Sequence, residues 1–246
     1  MNADTPLESF QRATALAIKA LGRRAELEVA FTGDAESDVE DSRVKIPSPD
    51  RNLPAGDVAL TRGAADAAAL RLLYHDPKLH DRLLPADAAP RAVFEALEQA
   101  RCEALGMRRF AGVGRNISSL LENRCLRKNL QNARGQAEAP LSEVLHLLAH
   151  EALSGQKIPS TGLAAVNAWR PFIESKIGAH LGRLPEVLDD QAAFAAETQK
   201  ILTALNLKGS GEDAPEEGRE KPADGRRFSI VVRRPVEGSD SMGRKA

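Results

Sequence analysis

Apolar and polar positions along the chain alternate mostly at helical spacing, in segments joined by short polar breaks. Thr5, Pro6 and Glu8 have the form of a helix start: Thr5 caps, Pro6 suits the first helical position and Glu8 completes a capping box. Leu7, Phe10, Ala13, Leu16 (or Ala17) and Leu21 then predict one apolar face, with Gly22 near its end. Leu27 to Phe31 alternates apolar and polar, the pattern of a short half-buried strand. A second helix is predicted from Pro54 to about His75, rich in small residues: Ala59, Gly63, Ala64, Ala67 and Ala68. Glycine inside a helix costs about 1 kcal/mol relative to alanine, so Gly63 predicts close approach of a neighbouring helix. Asp76 and Pro77 read as a cap and a first-turn proline, opening a short helix from Pro77 to Leu84.

Pro90 opens a third long helix with an apolar stripe at Val93, Leu97, Ala100, Ala104 and Met107. Its outer faces are assigned to Glu95, Glu98, Arg101, Glu103 and Arg108. Gly112 to Asn116 predicts a turn, with Asn116 capping a helix from Ile117 to about Leu130. Further helices are predicted over Leu141 to Leu153, ended by Ser154 and Gly155, and over Leu163 to Ile177, with Trp169 and with Pro171 as a kink or a start. A closing helix is predicted over Pro185 to Leu207. Glu186, Asp189 and Asp190 lie near its start and Lys200 and Lys208 near its end, as the helix dipole favours.

The breaks define the domain plan. Residues 1–32 form an N-terminal helix and short strand. Residues 33–54 hold six acidic and three basic residues and read as an acidic, flexible surface loop. Residues 55–208 form a helical core. Residues 209–246 read as a charged linker or disordered tail, acidic to residue 224 and basic after it. Within that tail, Phe228 to Val232 suits a strand where a partner surface exists. The fold class is therefore mainly α: a multi-helix bundle with one short N-terminal strand and a disordered charged tail.

Composition sharpens this picture. Aromatics make up only 4% of the chain against 42% hydrophobic residues, so the core is mostly alanine and leucine, which suits closely packed helices. The formal net charge of −1 predicts no polyanion partner from bulk charge. Two cysteines, Cys102 and Cys125, make no disulfide framework. No apolar run approaches the roughly 20 residues that cross a bilayer. A reducing, cytoplasmic compartment with no membrane partner is the expectation.

Candidate chemistry is sparse. His75, Asp76 and His80 come nearest to a metal constellation, but transition-metal sites need three or four converging ligands. The stronger reading is that Asp76 caps a helix, His75 sits favourably at a helix C-terminus and His80 lies on a helix surface. His146, His150 and Glu151 share a helix face but lack the glutamate that a zinc HExxH motif places beside its first histidine, so packing or solvent contact is expected. A basic run is more suggestive. Arg101, Arg108, Arg109, Arg115, Arg124, Arg127, Lys128 and Arg134 face only Glu103 and Glu122, a local charge of +6. Such a patch attracts a partner's acidic segment, a polycarboxylate or nucleic acid. No aromatics interleave for base stacking, which argues against nucleic acid. The chain has no GxxxxGK[ST], GxSxG or CxxC motif, and no catalytic residue is assigned.

Longer strings add a family resemblance. They are Thr61-Arg62-Gly63, Ala65-Asp66, Ala69 to Leu72, His75-Asp76, His80, Arg91 to Phe94, Glu98 to Arg101, Glu103-Ala104, Gly106, Gly112-Val113 and Asn116. Farther on come Trp169 to Pro171, Ile173-Glu174, Asp190-Gln191 and Phe194. Together they resemble the N-terminal region of CobT, a subunit of the aerobic, ATP-dependent cobaltochelatase, over nearly all of Thr5 to Leu207. The resemblance implies an accessory subunit of a ligase that forms cobalt–nitrogen bonds. Its complex inserts cobalt into hydrogenobyrinic acid a,c-diamide during cobalamin (vitamin B12) biosynthesis, using ATP, magnesium and cobalt. The implied partners are the AAA+ ATPase subunit CobS and the large subunit CobN. None of the strings supplies a cofactor site on this chain. In the family a long acidic segment and a von Willebrand factor A-type domain follow, whereas this chain stops at Ala246, so coupling through that domain's metal is not carried over. The role implied is mechanical, with Arg101, Arg108, Arg109, Arg115, Arg124 and Arg127 as the docking surface. The alternative is a helical regulatory or nucleic-acid binding module using the same patch.

Overall fold

The computed structural model describes residues 4–33, 37–40, 42–207 and 228–230. The expected charged tail lies outside the described residues, apart from 228–230. The first helix, α1 (Pro6–Leu21), starts as its sequence requires. The Thr5 hydroxyl accepts from the Glu8 amide, the Glu8 carboxylate accepts from the Thr5 amide, and Gly22 closes the helix. Its buried side differs from the expected stripe. Thr14 and Ile18 turn inward, while Ala13, Ala17 and Leu16, which is 60% accessible, face outward. Thr14 tolerates burial because its hydroxyl donates to the Phe10 carbonyl.

The stretch expected to be a flexible loop contains two strands. After β1 (Glu28–Thr32) come β2 (Ser37–Val39) and β3 (Arg43–Pro47). β1 pairs parallel with β3, and β3 pairs antiparallel with β2. Val44 and Ile46, on one face of β3, are fully buried. That period of two is what an acid-rich composition obscures. A fourth strand, β4 (Phe228–Ile230), completes the order β1-β3-β2-β4, so the tail segment finds its partner surface on β2.

The helical core follows. Helix α2 (Ala55–Tyr74) packs on the sheet, where Thr61 donates its hydroxyl to the Pro47 carbonyl. Helix α3 (Pro77–Leu83) begins at Asp76, whose carboxylate accepts from the Lys78 and Leu79 amides. Helix α4 (Ala88–Arg109) starts two residues before Pro90 and is the hub, packed against α2, α5, α6 and α8. Helix α5 (Val113–Arg127) begins where a turn was expected. Asn116 is therefore no cap; it lies inside the helix and donates to the Asp66 carboxylate at 2.7 Å. Helix α6 (Leu141–Ser154) ends at Gly155 in the left-handed region, φ 70°, where glycine is strain-free. Helix α7 (Leu163–Arg183) runs through Pro171. The closing helix α8 (Gln191–Ala204) starts later than its acid-rich approach suggests, because Asp190 is the residue that caps it.

Gly63 marks a close crossing of α2 and α5. A Cβ there would collide with the Asn116 carbonyl oxygen of α5 and come within 2.8 Å of Leu120 Cβ. Backbone cannot yield as a side-chain end does. Gly63→Ala is therefore expected to destabilise the protein by about 1–3 kcal/mol, despite its better helix propensity. Gly178→Ala, where a Cβ meets open space, should be neutral or stabilising by up to about 1 kcal/mol. Urea unfolding of the two variants checks the contrast.

Candidate functional site

The polar residues of α4 do not line its outer face. Glu98, Arg101 and Glu103 are all buried, and they organise two networks. In the first, Arg101 Nε donates to Glu98 Oε2 at 2.7 Å and Nη2 donates to Oε1 at 2.9 Å, a side-on bidentate pair. Nη2 also donates to the Tyr74 carbonyl at 2.7 Å and Nη1 to the Leu188 carbonyl at 3.4 Å. One guanidinium thereby ties α4 to the end of α2 and to the approach to α8. Gln191, the first residue of α8, accepts from the Asp76 amide and donates to the Asp76 carbonyl. His75 Nδ1 lies 2.8 Å from Glu98 Oε1. Next to it, Glu95 bridges Arg71 Nη2 at 2.8 Å and His80 Nε2 at 2.9 Å.

Burial pushes the His75 pKa down, overriding the Glu98 contact. His75 is therefore neutral, with its Nδ1–H donating to Glu98 and its Nε2 turned to Arg71 at 3.5 Å. For Glu98, burial alone works against the charge. Hydrogen bonds from Arg101 and His75, with the nearby guanidinium charges, outweigh it and hold the carboxyl at about 2. Burial drives the Cys102 thiol, on the same helix, far above its usual range.

The second network joins α4, α5 and α6. Glu103 accepts from Gln99 Nε2 at 2.9 Å and contacts His146 Nε2 at 2.8 Å. Arg124 Nη2 and Lys128 Nζ converge on Glu143 at 2.8 and 2.7 Å. Burial opposes the Glu143 charge, but these two cations hold its pKa at about 2. One turn beyond His146, His150 is 1% accessible and neither ring nitrogen has a hydrogen-bond partner among the described residues. Desolvation pushes it down to about 4, against the attraction of Glu103. Of the packing or solvent contact expected for these histidines, the structure shows burial. Sequence reasoning missed the buried carboxylates opposite them, whose one available signal was helical spacing from Gln99 and Glu103 to the neighbouring core positions.

The proposed metal and docking residues sort accordingly. His80 is buried rather than on the helix surface, and it meets His75 with ring centroids 4.6 Å apart, but Asp76 is spent on capping α3. Carboxylates hold a nitrogen of each ring and the Arg71 guanidinium stands beside them. That environment does not fit a resident cation, and among the described residues no three His, Cys, Asp or Glu side chains converge to hold one. Arg101 is 1% accessible and is not a docking residue, because Glu98 and backbone carbonyls saturate it. The Arg124 side chain is 18% accessible and is engaged by Glu143. Arg127 is half-buried at the end of α5. Arg108, Arg109 and Arg115 remain exposed, where α4 ends and α5 begins. Elsewhere, a groove of about 280 Å³ lies between α1, α2 and α5, with Phe10, Arg62 and Asp66 among its lining residues.

These features define a helical module whose buried charges lock its helices together and whose Arg108, Arg109 and Arg115 face outward where α4 ends and α5 begins. The family model for the cobalamin biosynthesis protein CobT matches residues 4–227, and the chain belongs to that family. Membership ties it to cobalamin biosynthesis. No solved structure matches the chain. Among the described residues, no helix is long and apolar enough to cross a membrane.

The buried groups set a pH dependence. A neutral buried histidine leaves the unfolded chain binding more protons than the folded one. Its stabilisation is complete above pH 6.5 and is lost as pH falls towards about 4. Replacing His150 with leucine should remove roughly 3 kcal/mol of pH sensitivity between pH 7 and 4. Urea unfolding of wild type and variant at both pH values gives that difference. The Glu98 and Glu143 contributions, by contrast, persist until pH falls below about 4.5 and are lost towards about 2.

Proposed function

We propose that this chain is an accessory subunit of cobaltochelatase, supporting ATP-dependent insertion of cobalt into hydrogenobyrinic acid a,c-diamide. The observation that carries this reading, within the family, is the corner formed by Arg108, Arg109 and Arg115. The fold consumes Arg101 and Arg124 internally and presents these three outward, with no ion pair to any of them among the described residues. A rigid helical body with a cationic corner suits docking on an acidic surface of the AAA+ ATPase subunit CobS, with the large subunit CobN holding the tetrapyrrole. Cobalt is the cargo of the reaction, and ATP with magnesium belongs to the ATPase partner. The module's contribution is mechanical. It transmits the partner's ATP-driven conformational change through helices that α4 holds as one body.

Charge reversal separates docking from folding. Arg108→Glu, Arg109→Glu and Arg115→Glu together should sharply weaken copurification with the ATPase subunit. Exposed substitutions of this kind each cost about 0.5 kcal/mol of stability or less. Arg101→Glu should instead cost about 3–5 kcal/mol, because it leaves Glu98 buried without its partner. Unchanged association of the folded triple variant would reject the docking surface. Tight duplex DNA binding that collapses with added salt and vanishes in the same variant would favour a nucleic-acid module instead.

A further inference from the structure

One strand of the sheet comes from far along the chain. β4 lies antiparallel on the outer edge of β2, with Ser37 opposite Ile230, Asp38 opposite Ser229 and Val39 opposite Phe228. Twenty residues separate Leu207 from Phe228. So short a ladder is marginal on backbone pairing alone, and the sequences of its two sides show what else recommends it. Around β2, the run from Asp34 to Asp41 has five acidic residues and no basic one. Around β4, the run from Arg226 to Arg234 has two arginines on each side of Phe-Ser-Ile-Val-Val and no acidic residue. β2 also has polar atoms left over. Ser37 Oγ and Asp38 Oδ1 are buried with no hydrogen-bond partner among the described residues, and the second Asp38 oxygen reaches Lys45 only at 3.9 Å. A buried polar atom left unsatisfied costs about 1–3 kcal/mol, and both stay unsatisfied with β4 already paired, so the edge has unused capacity for a segment that brings donors to them.

We infer that the outer edge of β2 is a docking edge for extended segments with an apolar centre and flanking arginines. The chain's own β4 (Phe228–Ile230) occupies it in cis and must leave before another segment of that kind binds. Backbone pairing supplies affinity, as in strand addition to a sheet edge. Charge supplies selectivity and makes the contact sensitive to salt. Tethering gives the resident strand an effective concentration in the millimolar range, so a competitor gains access mainly when the tail is drawn away. The edge is remote in sequence from the arginine corner and does not depend on it.

A labelled peptide spanning Gly225 to Pro235 tests this on the full-length chain. Adjacent strand residues point their amides to opposite sides, so Ser229→Pro with Ile230→Pro removes a ladder donor whichever residue supplies it. The double-proline chain, checked for unchanged helicity, should bind the peptide at least about tenfold more tightly than wild type, since tethered competition is gone. Binding should weaken from about 0.05 to about 0.5 M salt, and adding Asp38→Lys to the double-proline chain should abolish it. Equal binding by wild type and the double-proline chain overturns the inference. So does no binding by the folded double-proline chain, salt-independent binding, or binding that survives Asp38→Lys. A wild-type dimer that takes up peptide only on dissociation assigns the resident strand to a second copy and overturns the cis arrangement.

Discussion

The bidentate pair between Arg101 and Glu98 is the contact on which the helical body depends. Both side chains are buried on the central helix, where a lone charge is costly and a charge with saturated hydrogen bonds is tolerable. Saturating this guanidinium takes the carbonyls of Tyr74 and Leu188, and saturating the carboxylate takes His75. Those partners come from the end of α2 and the approach to α8, so satisfying one ion pair fixes where both neighbours sit. Apolar packing alone would tolerate more sliding than this set of directional contacts.

The second network repeats the principle on the other side of α4. Glu103 meets His146 of α6, while Glu143 of α6 draws Arg124 of α5 and Lys128 just past its end. Three helices that share an alanine- and leucine-rich interface thereby acquire a register. His150 is the exception, a buried imidazole with no hydrogen-bond partner among the described residues. Its neutrality removes the charge cost and leaves a proton-sensitive point in an otherwise satisfied interface.

The arginine run shows how one stretch of sequence divides between two purposes. Arg101 and Arg108 are seven residues apart and lie on nearly the same side of α4. Arg101 sits where neighbouring elements cover the helix, and Arg108 sits within its last turn, exposed. Local charge is therefore a poor guide to surface charge: of the six arginines assigned to docking, three are clearly exposed. The Asp34 to Asp41 run holds the same lesson in reverse, since its acidic composition hid the strand that β3 and β4 frame.

Local rules settled much of this protein in advance. The capping box at Thr5, the Asp76–Pro77 start of α3, the close approach at Gly63 and the glycine stop after α6 each rest on the conformational chemistry of a few adjacent residues, legible without a partner. The family strings were legible for the same reason, as fixed residue types at fixed spacing. What lies between distant residues was not. Whether Glu98, Arg101 and Glu103 face water or core, whether Asn116 caps a helix or bonds Asp66, and whether acid-rich residues form strands depend on surfaces brought up by other elements. Desolvation and partner geometry decide those questions, and both exist only once the helices have packed.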